Sequence, residues 1–305
     1  MRWLLVVLLL TGCSSRAKRA GTQAQAAASP QAAATPSNPS PLTSAAPPAA
    51  SSPAPEGWAP YPRPAAESAE LRCANHSQRE WRVEAEGEGL KISPDALRLH
   101  QDPLPPEINL REVAVGTKGE RRVLRVEDGW LVGIDVGEFG GGLWWFGPEG
   151  GGGRKLSAEN VVGFARTSKG VLALTGLAHM GLDYGKVLSI TDGAGEGRKV
   201  EPFADLGAAP QTFVEESPDS LLILTTRALL RVSASGEVEQ LLPTTYSSLY
   251  PNSMTLSPSG VVHVGMRHFV TRLTPAAGGY KEEWFVPAGC AKFRLRGFDC
   301  VCASG

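Results

Sequence analysis

Asp128-Gly129-Trp130-Leu131-Val132, Lys169-Gly170-Val171-Leu172-Ala173, Asp219-Ser220-Leu221-Leu222-Ile223 and Ser259-Gly260-Val261-Val262 are four versions of one phrase: a tight turn followed by a strongly apolar strand. Short turns of this chemistry join antiparallel strands into hairpins. The phrase has a fixed surrounding in each of its four occurrences. A further apolar strand follows, at Leu143–Phe146, Lys186–Ile190, Ala228–Val232 and Phe269–Leu273. Glycine-bearing turns come next, at 150–153, 192–195, 235–236 and 278–279, and then a short charged strand such as Arg198-Lys199-Val200 or Glu282-Glu283-Trp284-Phe285. The second turn residue recurs at 129, 170, 220 and 260, a period of about 40 to 50 residues.

Four strands in each such period resemble the blades of β-propeller repeat proteins in general. No Trp-Asp dipeptide or double glycine recurs in phase, so no particular propeller family is indicated. The expected class is therefore all-β, a small propeller of five or six blades built from four-stranded antiparallel sheets. A meandering β-sandwich or barrel is the alternative. Residues 75–118 and 288–305 must complete the ring, with strands expected at Trp81-Arg82-Val83, Asn109 to Val115 and Phe293-Arg294-Leu295.

Upstream of this domain the composition changes. Residues 14 to 67 are dominated by Ala, Pro, Ser, Thr and Gln, and large apolar residues are almost absent until Trp58 and Tyr61. Such a segment buries too little surface to offset its ordering entropy. It is expected to be a disordered stalk with a span of about 40 Å. Ahead of it, Met1-Arg2 and the apolar run Trp3–Leu10 have the form of an export signal too short to cross a bilayer. The run ends in Leu10-Thr11-Gly12-Cys13, which resembles the lipobox of bacterial lipoproteins. That resemblance implies a signal peptide over 1–12, lipidation (diacylglyceryl and palmitate chains) at Cys13, and membrane association through the anchor. Ser14, where inner-membrane lipoproteins often carry Asp, implies an outer-membrane address. The division expected is thus 1–12 signal, 13–67 anchor and stalk, and 68–305 propeller-like domain.

Four cysteines remain after Cys13: Cys73 at the start of the domain, and Cys290, Cys300 and Cys302 at its end. In an oxidising compartment an even number reads as two disulfides. A ring brings first and last residues together, so Cys73 is expected to pair with one C-terminal cysteine. Cys290 is expected to pair with either Cys300 or Cys302, because a Cys300–Cys302 bond is strained. The spacing is not that of a zinc ribbon, and no metal is expected.

With 30 Lys+Arg against 31 Asp+Glu, the chain has no basic excess to neutralise phosphates, which argues against a nucleic-acid partner. No His-Glu-x-x-His, Gly-x-Ser-x-Gly or phosphate loop occurs, so no catalytic residues and no cofactor are assigned. If the repeats are blades, their central hairpin ends share one face. That face would carry Glu138, Phe139, His179, Asp183, Tyr184, Arg227, Arg267 and His268. Loops on a rigid scaffold are where binding concentrates. The leading expectation is an envelope binding module or scaffold for a protein, peptide or glycan. An envelope lyase or hydrolase and a structural component of an envelope assembly are the alternatives.

Overall fold

The computed structural model describes residues 53–87, 89–95, 100–110, 119–193 and 197–303. The signal segment, Cys13 and the stalk up to residue 52 lie outside the described residues, as do 111–115 of the strand expected at Asn109–Val115. Among the described residues no helix is long and apolar enough to cross a membrane.

The described residues open with β1 (Trp58–Tyr61), the short helix α1 (Ala69–Asn75) and a hairpin of β2 (Glu80–Glu86) and β3 (Gly89–Asp95). Four antiparallel sheets then follow in sequence order. Blade I is β4 (Glu120–Val126), β5 (Gly129–Asp135), β6 (Gly141–Phe146) and β7 (Arg154–Ser157). Blade II is β8 (Val161–Thr167), β9 (Gly170–His179), β10 (Leu182–Gly193) and β11 (Gly197–Asp205). Blade III is β12 (Pro210–Ser217), β13 (Ser220–Thr225), β14 (Ala228–Ser233) and β15 (Val238–Pro243). Blade IV is β16 (Ser253–Leu256), β17 (Val262–Gly265), β18 (Val270–Ala276) and β19 (Gly279–Pro287). The chain ends in a separate hairpin of β20 (Phe293–Arg296) and β21 (Asp299–Cys302).

The turn-plus-strand phrases are thus the junctions between first and second strands. At Gly129 the backbone has φ 153°, and a Cβ there would stand 2.0 Å from the Phe146 carbonyl oxygen, so this turn needs glycine. The first strands pack on one another in order: β4 on β8, β8 on β12, β12 on β16, and β16 on β2. This is the radial arrangement of a β-propeller.

Side-chain alternation explains why the second strands read as unbroken apolar runs. In β13, Leu221 and Ile223 pack toward blade II, with Leu172 and Leu174. Leu222 and Leu224 pack toward blade IV, with Val262 and Val264. In β9, Val171 and Ala173 turn instead toward blade I, beside Leu131 and Leu143. A sheet sandwiched between two others has no polar face to show.

The ring has five positions, and the fifth differs from the rest. The β2–β3 hairpin fills it beside blade IV. On the blade I side lies the segment around Gln101, which forms a parallel bridge to Arg121. A full four-stranded fifth blade is not present among the described residues, because the two chain ends go elsewhere. β1 joins blade IV as its outermost strand, pairing with β19 from Trp58↔Pro287 to Tyr61↔Trp284. The ordered domain therefore begins ahead of the boundary expected near residue 68. Trp58 and Tyr61 are what make this strand worth ordering: Trp58 meets Trp81 edge-on at 4.9 Å, and Tyr61 stacks on Phe293 at 5.2 Å.

Two disulfides fasten the C-terminal hairpin. Cys73 of α1 bonds Cys300, and Cys290 bonds Cys302, with Cα separations of 5.2 and 5.0 Å. Cys300 and Cys302 alternate on β21, so both point to the same side and are held by different parts of the domain.

Candidate functional site

A cavity of about 520 Å³ opens at the centre of the ring, on the face where the central hairpin ends of all four blades emerge. Its wall takes residues from every position: Glu80 and Arg82 of β2, Glu120 and Arg122 of β4, Val162 of β8, Gln211 of β12, and Arg267 beyond β17. First strands of the ring present alternate residues to its axis, so charges spaced by two share the wall. Glu80-Trp81-Arg82 and Glu120-Arg121-Arg122 place the same Glu-x-Arg pattern at the head of two such strands.

Four carboxylates (Glu80, Asp95, Glu120 and Asp135) face three guanidiniums (Arg82, Arg122 and Arg267) in the lining. Arg267 Nε donates to Glu80 Oε1 at 2.9 Å, its Nη1 donates to the Asn75 carbonyl at 2.7 Å, and its Cζ lies 3.8 Å from the Tyr250 ring centre. Arg82 reaches Asp95 through Nε at 3.1 Å and Nη2 at 2.9 Å. Arg122 donates from Nη2 to Glu120 at 3.0 Å and from Nε to the Val162 carbonyl at 2.8 Å. Asp135 lies across the ladder from Glu120 and accepts the Gly137 amide at 2.7 Å. Burial raises the Asp135 carboxyl above the usual carboxylate range. The Gly137 amide opposes this, Glu120 adds to it, and Arg122 opposes it.

Two features of the lining lie outside these pairs. His100 Nε2 is 2.7 Å from Asp102 Oδ1, and Asp102 Oδ2 accepts the Val123 amide at 2.8 Å. Gln211 Oε1 is buried without a hydrogen-bond partner.

The residues expected on the loop face do not stay together. Glu138 and His179, at neighbouring hairpin tips, pair at 2.9 Å above the rim. Phe139 beside them is 83% exposed and Met180 88% exposed, an apolar ledge next to Gly137 and Ala178 of the wall. Asp183 is the hub of a second group, accepting from Arg227 Nε at 2.7 Å, Thr226 Oγ1 at 2.8 Å and the Ala209 amide at 2.9 Å. Burial works against its charge, but these three donors outweigh it and hold the carboxyl below the usual range. Tyr184 lies outside the cavity, in a shallow groove with Pro202 and Phe203.

Arg267 and His268 part company. Arg267 lines the cavity, whereas His268, only 4% exposed, is packed away from it. Its Nδ1 is 3.3 Å from Ser77 Oγ, its Nε2 is 3.8 Å from Cys290 Sγ, and its ring meets the Phe293 ring edge-on at 4.2 Å. Consecutive residues point apart in extended chain, and His268 itself turns through φ 67°. Burial, then the charge of Arg79, lowers its pKa to about 4. His179, Asp183, Arg227 and His268 therefore do not share one pocket.

The charged wall is what a reading of loops passes over. Glu80, Arg82, Glu120 and Arg122 sit inside strands, and the in-strand Glu-x-Arg repeat is the signal that marks them.

No protein-family model and no curated protein matches this chain. Among solved structures it is similar to the extracellular domain of a B. thetaiotaomicron protein described as a hybrid two-component system, at 12% identity and TM-score 0.41, covering 66% of this chain and 26% of that one. The chain thus spans about a quarter of that structure's length. It is also similar to a gluconolactonase from Xanthomonas campestris, at 11% identity and TM-score 0.32, covering 68% of each chain. A third similar structure, a protein described as a gluconolactonase, has 12% identity and TM-score 0.35 and covers 75% of this chain and 79% of its own.

Proposed function

We propose that this chain is an envelope binding module, carried on a lipid anchor at Cys13, that takes a hydroxyl-rich ligand of the glycan class into its central cavity. The lipobox-like Leu10-Thr11-Gly12-Cys13 supports the anchor, and the low-complexity chain behind it supports a reach away from the lipid surface. The ligand class follows from the wall. Its charges are largely matched by each other, so a strongly charged ligand would break ion pairs on entry, at a cost in desolvation. A neutral polyhydroxyl compound needs only donors and acceptors, which such a wall presents at close spacing. The cavity's volume is within the range of small-molecule sites.

The observation that carries this reading is Gln211 Oε1, an acceptor buried in the lining with no donor among the described residues. Leaving such an atom unmet costs about 1–3 kcal/mol, and a turn of the Gln211 side chain toward the cavity would let a ligand hydroxyl recover it. The test is calorimetric titration of the domain with saccharides selected on a glycan array. Gln211→Ala is expected to weaken the selected ligand about tenfold without lowering the melting temperature. An array on which nothing binds, or a ligand indifferent to Gln211→Ala, would remove the reading.

A further inference from the structure

We propose that the central cavity is also a hydrolytic site, in which His100, positioned by Asp102, activates water against the carbonyl of an acyl ester on a hydroxyl-rich compound and Asp135 protonates the departing alcohol. This rests on the cavity being a ligand site, and adds chemistry to it.

The base is His100. Its Nε2 is 2.7 Å from Asp102 Oδ1, and Asp102 is itself fixed by the Val123 amide at Oδ2. The segment carrying both is clamped to β4, with Arg121 N donating to the His100 carbonyl at 2.8 Å and Asp102 N donating to the Arg121 carbonyl at 3.1 Å. An imidazole at a cavity wall, held by a carboxylate that is itself held, is the arrangement of an oriented general base. With the Nε2 proton directed at Asp102, the lone pair resides on Nδ1.

The acid is Asp135. It lines the same cavity, and its ladder partner Glu120 puts a second carboxylate on the same side of the sheet. Two neighbouring carboxylates resist ionising together, and burial favours the protonated form of the deeper one. The charged groups facing it are Glu120 and Arg122 from β4, with Glu80, Arg82 and Asp95 of the fifth position and Arg267 of blade IV in the same lining.

The wall also narrows the reaction. Among the described residues no serine or cysteine side chain lines the cavity, and the Thr226 hydroxyl is committed to Asp183, so the nucleophile assigned is water. Four carboxylates against three guanidiniums disfavour a phosphoester. A single carboxyl proton suits a single alkoxide leaving group.

In the step, a water oxygen bonds to the carbonyl carbon while its proton passes to His100. The carbonyl electron pair moves onto oxygen, near Arg122, whose Nη1 makes long 3.5 Å contacts to the His100 and Arg121 carbonyls. Collapse re-forms the carbonyl and breaks the bond to the alcohol oxygen, which takes the Asp135 proton. The proton on His100 returns to Asp135 through solvent. Ester and water become acid and alcohol, with no change of oxidation state.

The experiment measures acetate released by the full chain from p-nitrophenyl acetate and from glucose pentaacetate. Saturable turnover is expected. His100→Ala should lower kcat about 100-fold or more. His100→Gln, which keeps a polar group toward Asp102, should do the same if the alanine variant folds poorly. Asp102→Asn should lower kcat more than it raises KM and should move the acid limb of the pH–kcat profile, which a merely structural residue would not do. Asp135→Asn should abolish the alkaline limb. His76→Ala, an exposed histidine at the end of α1, should change nothing. No release, or release lost equally in His76→Ala and His100→Ala, overturns the proposal. Saccharide binding that depends on Gln211 without any hydrolysis overturns hydrolysis alone, and loss of both overturns the ligand site as well.

Discussion

In blade III, Leu221, Leu222, Ile223 and Leu224 are each at most 1% exposed, and the strand is held by neighbours on both faces. At the seam between the chain ends, β2 and β3 bury one aliphatic side chain, Val83. There the work passes to two disulfides and to an aromatic group of Tyr61, His268, Phe269 and Phe293. An apolar strand is useful only where sheets flank it. The seam's neighbours are a short helix, a hairpin and irregular chain, so cross-links replace part of the sheet packing.

The largest expected effect separates the two regions directly. The Cys73–Cys300 bond closes a loop of 227 residues, and the double serine variant should lose about 5 kcal/mol in urea unfolding if chain entropy governs. The Cys290–Cys302 bond spans only 12 residues and should cost about 3 kcal/mol when replaced the same way. A reversed order would show that local packing sets the worth of these bonds.

Next in size is Ile223→Ala, which should cost about 3–4 kcal/mol by opening a hole between blades II and III. Its penalty should be the same with or without Cys73–Cys300, because the sites share no partners. Strong coupling in that double cycle would mean the blades do not stabilise independently of the seam.

The smallest effect concerns acid. His268 is buried at the seam with a folded-state pKa of about 4 against an ordinary 6.5. Its contribution is complete above pH 6.5 and disappears as pH falls toward 4, at most about 3 kcal/mol. His263 in blade IV, lowered to about 4 by burial and by Arg272, responds over the same window. His268→Gln should therefore flatten about half of the loss of melting temperature between pH 6.5 and 4.5. Blade III has no counterpart there. Its Glu216, held low first by its bonds to Arg231, is partly exposed and is lost only at more acid pH, for less than about 1 kcal/mol.

The repeating blades were legible because turn chemistry and apolar strands recur in phase, from Gly129 to Gly260. The alternative of a stacked sandwich was removed only by the packing of first strands on one another. The fifth position was not legible as such: Glu80–Asp95 carries no apolar run, since one side of it faces a polar cavity. Trp58 and Tyr61 were counted with the stalk, and only their pairing with β19 shows that they belong to a strand. The loop face was read from hairpin tips, which is why Glu138, His179, Asp183, Arg227 and Arg267 were named. His268 was grouped with them because sequence adjacency hides which way a backbone turns. His100 and Asp102 stand in irregular chain, where no periodicity reports what a side chain will face.

The edge position of β1 has a mechanical consequence. Tension on the chain ahead of residue 58 would first meet the bonds from Arg272 to the Pro53 carbonyl and from the Ala288 amide to the Gly57 carbonyl, and then the four residue pairs with β19. Beyond them the pull crosses α1 and arrives at Cys73, whose bond passes it to Cys300 of β21. The domain is thus built with a breakable leader and a covalent stop. A tug on the leader would spend itself on one short strand before any blade had to yield.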